Sequence, residues 1–90
     1  LSTPQQWRTF LNQYAELYAQ AAITGVRRNS DASARTLLTS FIHIAGSPQI
    51  VSHLKSFEDT IPTSGDEMTE DEVRANTELL KRLKQLRRGL

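Results

Sequence analysis

The sequence predicts an all-α fold, a compact four-helix domain in which three helices form a core and a C-terminal amphipathic helix completes it. Three observations carry this. Apolar residues recur at spacings of three and four throughout, never in the strict alternation of a half-buried strand. Proline and glycine fall only at the starts of these periodic stretches or between and after them. Good capping residues stand where each stretch begins. Helices are expected at about 4–24, 31–45, 48–60 and 70–88, with a linker at 61–68, all within one domain spanning 1–90.

The first helix opens with Thr3, Pro4 and Gln6. Thr3 can cap, proline suits the first helical position, and Gln6 can close a capping box. Trp7, Phe10, Leu11, Tyr14, Leu17, Tyr18 and Ala21 then form one stripe holding most of the aromatic mass, and Gly25 is the expected stop. Ser30 or Asp31 caps the second helix. Its positions Ala34, Leu37, Leu38, Phe41, Ile42, Ile44 and Ala45 leave a narrow polar stripe, so it is expected to be the most buried of the four. Gly46 ends it, and Ser47 with Pro48 starts the third helix at once, a corner that turns the chain steeply. Ile50, Val51, Leu54, Phe57 and Ile61 point inward from that helix, and Pro62 closes it.

The fourth helix begins with a capping box from Thr69 and Glu72. Val73, Leu80, Leu83 and Leu90 fall on heptad core positions, Asn76 and Arg87 fill the two gaps, and Leu79 and Leu86 widen the stripe. This pattern fits equally a seam between two chains or a helix packed on its own domain. Acids crowd the start (Glu70, Asp71, Glu72) and bases the end (Lys81, Arg82, Lys84, Arg87, Arg88), as the helix dipole favours.

Composition bounds the function. Ninety residues support one core, which buries only about 60 to 65% of the surface of the unfolded chain. With no cysteine, disulfides and thiolate chemistry are excluded, and the composition fits an intracellular, cytoplasmic setting. Eleven bases against ten acids give a net charge of +1, so any electrostatic role must be local. No apolar run reaches the roughly 18 residues of a membrane span. The two histidines, His43 and His53, lie on different helices without a carboxylate at ligand spacing. No nucleophile elbow or phosphate loop occurs. The expectation is a non-enzymatic chain with no cofactor, no metal and no small-molecule substrate.

A binding role is therefore expected, with another protein or a second copy of the chain as partner. The candidate contacts are Leu79, Leu83, Leu86 and Leu90, rimmed by Lys81, Arg82, Lys84, Arg87 and Arg88. A membrane surface is disfavoured, because six acids offset six bases over residues 66–90. The alternative partner is nucleic acid. Residues 45–54, AGSPQIVSHL, resemble the turn and recognition-helix start of helix-turn-helix regulators. The resemblance covers about a dozen residues, and bulky Phe41 stands where that family has a small side chain. It implies base-edge or phosphate contacts from Ser47, Gln49, Ser52, His53 and Lys55, joined by the basic end of the last helix. One modification pattern also occurs: Arg27, Arg28, Asn29 and Ser30 make an Arg-Arg-x-Ser sequence, which makes Ser30 a candidate phosphorylation site at a helix start.

Overall fold

The structure is a computed structural model describing residues 3–21 and 31–90. It is all-α. Helix α1 spans Pro4–Tyr18, α2 Asp31–Ser40, α3 Pro48–Asp59 and α4 Glu70–Arg88, with a 3₁₀ turn at Phe41–Ile44 between α2 and α3. No strand occurs among the described residues. Each predicted cap at Thr3, Ser47 and Thr69 is made. Thr3 Oγ1 accepts from the Gln6 backbone N–H at 3.1 Å while the Gln6 side chain accepts from the Thr3 N–H at 3.3 Å. Thr69 and Glu72 repeat the arrangement at 3.1 and 3.0 Å. Ser47 Oγ accepts from the Gln49 N–H at 3.1 Å.

The most buried helix is α1, not α2. Trp7, Phe10, Leu11, Tyr14, Ala15 and Tyr18 are all buried on it, and it packs along α2, the 3₁₀ turn and α4. Its aromatic stripe supplies large rings that fill the space among three neighbours at once, which the smaller side chains of α2 cannot do. On α2 only Leu38 is fully buried among the described side chains, and Leu37, expected inward, is 52% exposed.

Two helix ends differ from expectation. The regular part of α1 stops at Tyr18, where Gln20 and Ala21 donate to the carbonyls of Leu17 and Tyr18 and tighten the chain into a turn. Residues 22–24, expected to continue it, lie outside the described residues, as do Gly25 and Ser30. The second helix was expected to run to 45, but it leaves α geometry at Phe41. Thr39 and Ser40 hydroxyls donate back to the carbonyls of Arg35, Thr36 and Leu37, and β-branched Ile42 and Ile44 follow, both unfavourable to a relaxed α turn. Gly46, at φ 85°, then makes the corner in the left-handed region that favours glycine.

Helix α4 packs on its own domain, its first turns near the end of α3 and its last near the start. Asn76 donates to the Pro62 carbonyl at 2.7 Å, while Leu90 shares a hollow with Ser47, Pro48 and Val51. The two helices are therefore antiparallel. Leu79 and Leu83 enter the common core beside Leu11, Tyr14, Leu38, Ile50 and Leu54, and Leu86 packs against it half-buried.

Candidate interaction surfaces

The apolar seam predicted as a partner surface on α4 is used inside the monomer. Leu83 is fully buried and Leu79 only 6% exposed. A contact surface cannot be built from side chains already removed from water, so this assignment is corrected: of the four leucines, only Leu90 is exposed. Arg87 is likewise no free rim cation. Its Nε and Nη2 donate to Glu58 Oε2 and Oε1 at 2.9 and 3.1 Å, a bidentate pair in which the Glu58 side chain is 4% exposed. Tyr14 Oη lies 2.7 Å from Glu58 Oε2 and 3.0 Å from the Leu54 carbonyl, so its single proton has two acceptors.

Helix geometry explains how residues 29 apart meet. Long helical side chains lean toward the N-terminus of their own helix. On antiparallel α3 and α4, Glu58 and Arg87 therefore lean toward one another. The surroundings act on both titratable partners. Hydrogen bonding to Glu58, opposed by burial, raises the Arg87 guanidinium further above its ordinary range. Burial first, then the hydrogen bond and charge of Glu58, push the Tyr14 phenol well above its usual value of 10.0. The arrangement holds a fixed charge pair and a neutral phenol. Its groups are withdrawn from water and bonded to one another, so it reads as a structural latch between α1, α3 and α4.

The remaining bases, Lys81, Arg82, Lys84 and Arg88, are exposed on α4. Lys81 Nζ lies 3.4 Å from Glu78. Of the residues expected to serve nucleic acid, Ser47 alone is turned away from the outward side of α3. Ser47, with its hydroxyl committed to the cap, lines a hollow of about 350 Å³ together with Trp7, Pro48, Val51 and Leu90. His53 lines a different depression, on the other side. Gln49, Ser52, His53 and Lys55 are exposed, and at 100° per residue they fall within about 160° on the outward side of α3. Lys55 is the one cation among them.

The depression on the His53 side is the feature that sequence reasoning missed. It is an open groove of about 420 Å³ between α2 and α3, lined by Tyr18, Leu37, Phe41, His53, Ser56, Phe57 and Thr60. The His53 ring stacks on Phe41 at 4.8 Å with 27° between planes, and Phe57 meets Tyr18 edge-on at 5.2 Å. Tyr18 Oη and Thr60 Oγ1 share a hydrogen bond at 2.6 Å across its lower end. The other histidine, His43, hydrogen-bonds the Ser40 carbonyl. No group of three metal-ligating side chains occurs among the described residues. No helix described is long and apolar enough to cross a membrane.

No protein-family model matches the chain, and comparison with curated proteins and with solved structures returns no significant match.

Proposed function

We propose that this chain is a non-enzymatic protein-interaction module whose contact site is the groove between α2 and α3. The observation that carries the reading is Leu37, a large aliphatic side chain 52% exposed beside a floor of Phe41 and Phe57. An aliphatic side chain left half in water at the mouth of an apolar hollow offers a place for a partner's apolar group. Hydroxyls of Ser56 and Thr60 at its edge donate to the Ser52 and Phe57 carbonyls and so present acceptor oxygens without a charge to desolvate. The mode suited to such a groove is an apolar side chain or short helix laid between two helices.

The nucleic-acid alternative draws on Lys81, Arg82, Lys84 and Arg88, the exposed cations in the second half of α4. Against it stand the withdrawal of Arg87 into the latch, the commitment of the Ser47 hydroxyl to its cap and the supply of a single cation, Lys55, by the corner and α3.

The test is selection of binders from a random displayed peptide library, followed by amide chemical-shift mapping on the labelled protein. Shifts clustered at Leu37, Phe41, His53 and Phe57, and binding lost in Leu37→Lys but kept in Lys84→Glu, are the expected results. Duplex DNA binding that weakens steeply with salt and is lost in Lys84→Glu with Arg88→Glu, with no binder at the groove, would replace this reading with the alternative.

A further inference from the structure

We propose a second contact site, independent of the groove: the hollow between the start of α3 and the end of α4 takes an apolar side chain from an acidic segment of a partner protein, whose carboxylates meet Lys55, Lys84 and Arg88. The hollow has about 350 Å³, and Trp7, Ile50, Val51 and Leu90 give it apolar walls. Such a hollow with cations along one side suits a large apolar residue whose neighbours are acids.

The latch fixes where the cations stand. Glu58 and Arg87 meet across antiparallel α3 and α4, each leaning toward the N-terminus of its own helix. Lys55 and Lys84 each precede a member of that pair by three residues, which turns them about 60° from it toward solvent. The opposed lean brings the two lysines level, side by side on the outer edge of the α3–α4 contact. Arg88 follows Lys84 by one turn, and Val51 precedes Lys55 by one turn, about 40° round α3. Both steps lead toward the hollow, so the line of cations runs into it.

These cations are also uncommitted. Lys81 is held by Glu78 and Arg87 by Glu58, whereas Lys55, Lys84 and Arg88 have no ion-pair partner among the described residues. The nearby acids, Asp59 and Glu78, lie on the side of the lysines away from the hollow. An acidic segment fits this supply better than other anions do. Nucleic acid is held non-specifically by contacts to about six to ten phosphates, and three cations fall short of that. A lipid surface needs protruding apolar groups to insert, and here the apolar walls are recessed.

The probe is a short synthetic peptide of aspartate and glutamate with one central leucine, titrated at low salt and followed by the emission of Trp7, the single tryptophan. Saturable change in Trp7 emission is expected, with amide shifts at Val51, Lys55, Lys84 and Arg88. Replacing the peptide's acids by glutamine, or its leucine by alanine, should each weaken binding by at least about tenfold. Lys55→Glu with Lys84→Glu should do the same while keeping the parent's circular dichroism; Lys55→Gln with Lys84→Gln is the milder pair should that variant fail to fold. Arg82→Glu changes charge equally but lies about 160° round α4 from Lys84, so it should alter affinity by less than about twofold. Leu37→Lys should leave this binding unchanged, so this site and the groove stand or fall separately. Absence of binding, an equal loss in Arg82→Glu, peptide shifts centred on Leu37 and Phe57, or tighter binding of duplex DNA or anionic vesicles at the same residues overturns the proposal.

Discussion

Replacing Arg87 with methionine removes the charge from one side of the latch and leaves Glu58 buried. The carboxylate, 4% exposed, would lose both hydrogen bonds from the guanidinium and keep only the one from Tyr14. Removing one partner of a buried pair costs about 3 to 5 kcal/mol, because the survivor is an uncompensated charge. The retained phenol contact and the 13% exposure at Arg87, which admits some water, place this variant near the lower figure, about 3 kcal/mol. A domain of this size has about 5 to 13 kcal/mol in total, so the thermal midpoint should fall by about 12 to 24 °C. Removing both charges should behave differently. In Glu58→Leu with Arg87→Met, Tyr14 still has the Leu54 carbonyl 3.0 Å away as an acceptor, so no polar atom of the latch is orphaned. The double variant should lie within about 1 kcal/mol of the parent. Urea unfolding followed by fluorescence of buried Trp7 measures all the variants on one scale. A loss under about 1 kcal/mol in Arg87→Met, or a double variant no better than that single one, would refute the account of the latch.

The remaining predictions concern the core, the phenol and the corner. Leu83→Ala should cost about 2 to 5 kcal/mol, since the side chain is fully buried, and Leu83→Asp should unfold the domain rather than dissociate a folded dimer; circular dichroism distinguishes these. Tyr14 is held above 10.0 when folded, so the unfolded chain loses this proton first as pH rises. The folded state then binds more protons, and its stability is complete below pH 10 and declines above it by up to about 1.4 kcal/mol per pH unit. Tyr14→Phe should cost about 1 kcal/mol at neutral pH and flatten that alkaline decline, as read by urea midpoints across the range. Gly46→Ala should cost about 1 to 2 kcal/mol through backbone strain alone, because φ is 85° and an added Cβ would meet nothing within 4 Å; urea unfolding reads the loss.

Where polar residues interrupt an apolar stripe, the sequence marks a feature whose meaning depends on the neighbour. Asn76 and Arg87 stand in the two gaps of the α4 heptad, and Glu58 stands one turn beyond Leu54 on the inward face of α3. The pattern was legible for α4 and overlooked for α3, where Glu58 reads as one more acid near a helix end. Either gap in α4 is compatible with a register-setting contact to another chain. The structure shows that both partners are within the domain: the Pro62 carbonyl for Asn76 and the Glu58 carboxylate for Arg87. The groove was not legible at all. Leu37 sits at a spacing that predicts burial, and the relative placement of the helices leaves it 52% exposed.

The sequence alone determined the helical class, the helix starts and the corner at Gly46, because these depend on caps, glycine conformations and periodicities that act over a few residues. Tertiary structure decided which of several apolar stripes had company. Burial is a property of pairs of surfaces, and a stripe of leucines carries no record of what covers it. The aromatic mass of α1 drew three neighbours around itself and closed over Leu79 and Leu83. The same arrangement left Leu37 of α2 half exposed.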